Sequence, residues 1–157
     1  MPPDTPTQVL TRLTRLYQQG CRLLDHLQSP AALLARLYLA QVFFLSGLTK
    51  LRDWDTTLLL FTEEYRVPLL SPAVAAFMGT AGELLLPALL LPGLLTRFAA
   101  LGLFVVNAVA VLSLPEIAPA ALQQHILWGT LAAALAIFGP CCWSVDAWVE
   151  KRWPHTK

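Results

Sequence analysis

The sequence predicts an all-α integral membrane protein, a four-helix up-down-up-down bundle preceded by an N-terminal amphipathic helix. Three observations carry that expectation. Of the 157 residues, 56 % are hydrophobic and only 13 % charged, whereas a soluble domain carries about a quarter charged residues. Mean hydropathy is +0.57. Four apolar runs, about 30–50, 72–91, 97–114 and 120–138, each approach the roughly 20 residues a helix needs to cross the hydrocarbon core. Short joints marked by proline and glycine link the later runs, so successive spans must reverse direction. Ten acids and eleven bases nearly cancel, which gives no electrostatic reason to expect a nucleic acid. The expected partner is the lipid bilayer.

Residues 1–28 divide into a proline-bearing tip, expected to be disordered, and an arm. In the arm Val9, Leu10, Leu13, Leu16, Tyr17, Leu23, Leu24 and Leu27 recur at helical spacing, with Arg12, Arg15, Arg22 and Asp25 between them. Such a helix suits the membrane interface; docking on the protein's own surface is the plainer alternative. Ser29-Pro30 reads as a helix start, a hydroxyl cap with proline at the first helical position. The four-helix domain is expected over 29–148, with 149–157 as a tail.

Leu51 to Leu70 is too short and too charged to span. Trp54, Leu58, Phe61 and Tyr65 share a helical face, which predicts an amphipathic cap across one mouth of the bundle. Ser71-Pro72 repeats the hydroxyl-proline start. The second span opens with small residues, Ala73, Ala75, Ala76, Gly79, Ala81 and Gly82, which let helix backbones approach closely in lipid. Pro92-Gly93 ends it. Pro115 and Pro119 bracket the next joint, and Gly139-Pro140 stops the fourth span. Ser144 then caps a last short helix with Asp146 in its first turn. Trp143, Trp148 and Trp153 suit an interfacial aromatic belt.

Four spans place both termini on one side. That side holds Arg12, Arg15, Arg22, Arg97, Lys151, Arg152 and Lys157, against Lys50, Arg52 and Arg66 on the other. The excess of bases predicts cytoplasmic termini in a multi-pass protein of a bacterial inner membrane.

The chemistry is expected around Glu83, a carboxylate near the middle of the second span. A charge at that depth is costly and is usually kept for a partner or a task. Pro87 lacks an amide hydrogen and crowds the carbonyl four residues back, that of Glu83. By helical rise, Arg36 lies about 9 Å and Glu83 about 12 Å from the cytoplasmic ends of their spans, so an Arg36–Glu83 pair is expected. Asn107, Gln41 and His125 fall progressively deeper on that scale, which makes a ladder of polar groups. Two plainer readings stand beside the functional one. The pair fixes helix register, and Asn107, Gln41 and His125 serve as interhelical hydrogen-bonding groups.

Three cysteines, Cys21, Cys141 and Cys142, make no disulfide framework. The adjacent Cys141-Cys142 offers two soft ligands for copper(I) or a thiol site, with simple packing at a helix end as the alternative. No glycine-rich phosphate loop, Ser-His-Asp set or clustered metal spacing is present, and no catalytic residue is assigned.

Four segments, RLYLAQVFFLSGLTKL (36–51), VPLLSP (67–72), GELLLPALLLPGLLTRFAALGL (82–103) and GPCCWSVD (139–146), occur in the order seen in the DoxX family of small membrane proteins, which the chain resembles. The resemblance implies a four-helix membrane bundle related to the DoxD subunit of thiosulfate:quinone oxidoreductase, and a link to quinone or thiol redox chemistry. Arg36, Lys50, Glu83, Arg97 and Asp146 match its motif positions. Cys141-Cys142, where relatives commonly carry glycine, and the arm before Ser29 depart from the family pattern. The expected function is that of an accessory or quinone-interacting subunit of a redox system, met by a protein partner through the arm or the cytoplasmic face. The alternative is a membrane anchor or scaffold for a metal-handling or peptide-maturation pathway.

Overall fold

The structure, a computed structural model, describes residues 6–153. Of the tip expected to be disordered, residues 1–6, the first five lie outside the described residues, as does the end of the tail, 154–157, whereas Pro6 opens a helix. The described residues form six helices and no strand: α1 Pro6–Arg52, α2 Trp54–Glu63, α3 Pro72–Leu90, α4 Thr96–Ser113, α5 Pro119–Phe138 and α6 Val145–Arg152. Four of them, α1, α3, α4 and α5, are long and apolar enough to cross a membrane.

α1 differs from expectation. It is one helix of 47 residues that passes through Pro30 without stopping, so Ser29-Pro30 does not start a helix. Proline inside a helix removes one donor and frees the carbonyl four residues back, here that of His26. His26 is exposed, so that carbonyl keeps access to other hydrogen-bond donors. The arm does not fold back onto the protein either. Residues 12–28 are exposed apart from the half-buried Cys21, which rules out a helix docked on the chain's own surface.

The predicted cap is α2. Asp53 accepts from the Thr56 amide at 3.1 Å and from its hydroxyl at 2.7 Å. These bonds, the hydroxyl's first, hold the Asp53 carboxyl below its usual range. The Thr57 hydroxyl reaches the Lys50 carbonyl at 3.0 Å, which ties the end of α1 to α2. Phe61 packs with Ala75 and Ala76 of α3, and Trp54, Leu58 and Tyr65 surround them. The small residues at the start of α3 therefore receive the cap's aromatic face.

α3 lies against α1 and α4, and α5 lies against α4 and α1. Gly47 of α1 faces Glu83 and Leu84, Gly82 of α3 faces Val106, and Gly102 of α4 faces Leu86. At Gly47 and Gly102 an added Cβ would fall within 3.0 Å of a leucine side chain, so each glycine admits its neighbour. Leu39, Phe43, Leu90, Leu103 and Leu135 fill the centre of the bundle.

Candidate functional site

Glu83 is buried just past the middle of α3, and its partner is Lys50 rather than Arg36. The Lys50 ammonium donates to Glu83 Oε2 at 2.6 Å and to the Ser46 hydroxyl at 2.9 Å. The two charged side chains are 21 % and 11 % exposed. The expected Arg36–Glu83 pair fails for a reason of register. Counting from matched helix ends ignores α2, which occupies the first two turns of α3. Lys50, near the end of α1, is thereby brought level with Glu83. At the other end of the pair of helices, Arg36 meets Gly93.

Lys50 and Glu83 form the polar end of a cavity of about 210 Å³ between α2, α3 and α4. Phe61, Tyr65, Met78, Val105 and Val109 supply much of its apolar wall. Phe61 and Tyr65 stack with ring centroids 4.8 Å apart. Burial first, then the charges of Glu83 and Glu64, push the Tyr65 phenol above its usual range. Tyr65 therefore stays protonated, a neutral donor at the edge of a cavity that already holds one ion pair.

Arg36 belongs to a second centre at the opposite end of the bundle. It is 1 % exposed and donates to the Trp143 carbonyl. Its Nε and Nη1, and the Thr96 hydroxyl, are buried without a hydrogen-bond partner. Cys141 and Asp146 lie within its electrostatic reach. Asp146 accepts the amides of Leu95 at 2.8 Å and Thr96 at 2.7 Å, so it caps α4 from 50 residues away. The amides of Val145 and Asp146 donate to the carbonyls of Pro92 and Gly93. Arg97 lies across Gly139, whose φ of +85° suits glycine alone. Three of the motif positions, Arg36, Arg97 and Asp146, thus serve to join the α3–α4 turn to the segment after α5.

Asn107 and His125 form a third group. The Asn107 amide nitrogen donates to the His125 carbonyl at 2.9 Å, which leaves the Asn107 oxygen facing His125 Nδ1 at 2.8 Å. An acceptor there calls for the proton on Nδ1. The ring sits edge-on to Trp128. Gln41 is exposed on α1, so the expected ladder resolves into separate clusters. Cys141 is half-buried and Cys142 exposed, both as free thiols. Among the described residues no three His, Cys, Asp or Glu side chains converge as a metal site.

Lys50 was expected at the outer end of the first span, as a family-motif position, and not as the partner of Glu83. The usable signal was Gly47, three residues earlier, which marks where α1 lets α3 approach. Tyr65 was read only as part of the cap's apolar face.

No curated protein and no solved structure matches the chain. The DoxX family model matches residues 31–116, which is more than half of the chain and covers the Lys50–Glu83 pair but not Cys141, Cys142 or Asp146. Four spanning helices, and a match that runs from the first through the third of them, identify this chain as a multi-pass membrane protein of the DoxX family.

Proposed function

We propose that this chain is an inner-membrane accessory subunit of a redox system, and that the cavity beside Lys50 and Glu83 holds a quinone headgroup. The observation that carries this reading is the 2.6 Å ion pair at one end of a mostly apolar cavity. A pocket for a small organic ligand combines apolar walls with a few placed polar groups. Its volume, about 210 Å³, lies below the roughly 300–1,000 Å³ of drug-sized sites, so it suits a headgroup whose tail leaves toward lipid. Lys50 would donate a hydrogen bond to a quinone carbonyl, and Glu83 would accept one from a hydroxyl of the reduced form. The two electrons and two protons of the quinone couple would be exchanged with a redox-active partner subunit, this chain holding the headgroup. The four spans alternate in direction, up-down-up-down, with the cap on the outer side.

Titration of the full-length chain in lipid nanodiscs with a short-chain quinone, followed by tryptophan fluorescence, tests the reading. Saturable binding is expected, weakened at least tenfold by Glu83→Gln and by Lys50→Met and unchanged by Cys141→Ser/Cys142→Ser. Binding that survives both cavity variants and disappears with the cysteines overturns it.

A further inference from the structure

α1 is longer than a bilayer requires. Its 47 residues make a rod of about 70 Å, more than twice the ~30 Å hydrocarbon core. The first half has no cover within the chain: Leu10, Leu13, Tyr17, Leu24 and Leu27 are all more than half exposed. With Gly20 between Tyr17 and Leu24, their spacing alternates three and four, the a and d positions of a heptad repeat. The stripe continues into the span. Ala31, Leu34, Tyr38, Gln41 and Leu45 keep the alternation and are exposed, the Tyr38 hydroxyl also accepting from Trp128 Nε1 of α5 at 3.1 Å, while the bundle takes Arg36, Ala40, Phe43 and Gly47 on the other side of the helix.

The repeat holds over about five heptads, from Leu10 to Leu45, and in the arm the equally exposed Leu16 and Leu23 flank it. A helix lying on a membrane surface repeats every 3.6 residues. A strict seven-residue repeat drifts about 20° per heptad around a straight helix and stays in contact only with a supercoiled neighbour. Gln41 is an independent sign. It sits on the stripe within a spanning helix, exposed and without a side-chain hydrogen bond among the described residues. A side-chain amide in hydrocarbon finds its partner on another helix. It carries both donor and acceptor, so two of them across a two-fold axis complement each other. Arg12, Arg15, Arg22 and Asp25 fall off the seam, so a parallel pair opposes no like charges at its centre. Copies inserted in the same orientation also present α1 parallel and level.

We propose that a second copy of this chain docks along this stripe, α1 against α1, in a parallel two-stranded coiled coil that runs from the arm into the membrane. The two Gln41 amides hydrogen-bond across its axis.

The test uses the full-length chain in lipid nanodiscs, with Cys21, Cys141 and Cys142 each replaced by serine. Leu24→Cys places a thiol on the seam, and Arg22→Cys places one on the outer face. Mild oxidation is expected to yield a species of twice the chain mass from Leu24→Cys and none from Arg22→Cys. Gln41→Leu is expected to lower the crosslinked fraction at Leu24→Cys about fivefold, the equivalent of one interhelical hydrogen bond in a membrane. Equal crosslinking at both positions, a monomeric mass for the unmodified chain, capture of a different protein through Leu24→Cys, or indifference to Gln41→Leu would each overturn the proposal.

Discussion

At Glu83 the energetic question is what compensates a carboxylate taken away from water. Lys50 answers it at 2.6 Å, helped by the Ser46 hydroxyl that fixes the ammonium. A buried pair gains little over apolar residues of the same shape, but stripping one partner leaves an uncompensated charge and costs about 3–5 kcal/mol. Lys50→Met should therefore destabilise the bundle by about that much, and Lys50→Met/Glu83→Leu should recover most of the loss. Unfolding in mixed detergent micelles measures both. A double variant as unstable as Lys50→Met would show that the pair has no such coupling. The need for a partner was legible in the sequence, because a lone acid in an apolar run demands one. Its identity was not, since helical rise gives depth only once the helix ends are known, and α2 displaces them.

Among the elements, boundaries were legible wherever a breaker coincides with the end of an apolar run. α3 starts at Pro72 after Ser71, and α5 ends before Gly139. Pro30 shows the limit of that rule, since helix-forming residues on both sides and an exposed His26 let α1 continue. The role of Asp146 was hidden for another reason. Its position suggested a favourable charge in the first turn of its own helix, but the bonds that matter join it to Leu95 and Thr96. Nothing local records a contact across 50 residues. An asparagine there keeps one acceptor oxygen where two are used, so Asp146→Asn should cost about 1–2 kcal/mol. Hydrogen exchange should quicken at the Leu95 and Thr96 amides while the cap helix α2 stays protected. Unchanged protection at those two amides would remove Asp146 from the cap of α4.

For the whole molecule, the class was visible in composition alone, because a chain with 56 % hydrophobic and only 13 % charged residues lacks the polar surface of a soluble domain. The proposed orientation, with both termini cytoplasmic, rests on the surplus of arginine and lysine at the termini and at Arg97 in the first turn of α4. A periplasm-active reporter fused to either end of the full chain should be silent, and one inserted after Leu69, in the exposed loop between α2 and α3, should be active. The reverse pattern would invert the molecule and place the Lys50–Glu83 cavity on the cytoplasmic side.

The bonds around Arg36 also impose an order on biosynthesis. A guanidinium made early, in the first span, finds its acceptor on Trp143, 107 positions later, and the cap of α4 comes from Asp146. Until the ribosome has delivered that closing stretch, the nascent spans are threaded but unlatched, and a chain cut short before Trp143 would leave its first membrane arginine searching for a mate.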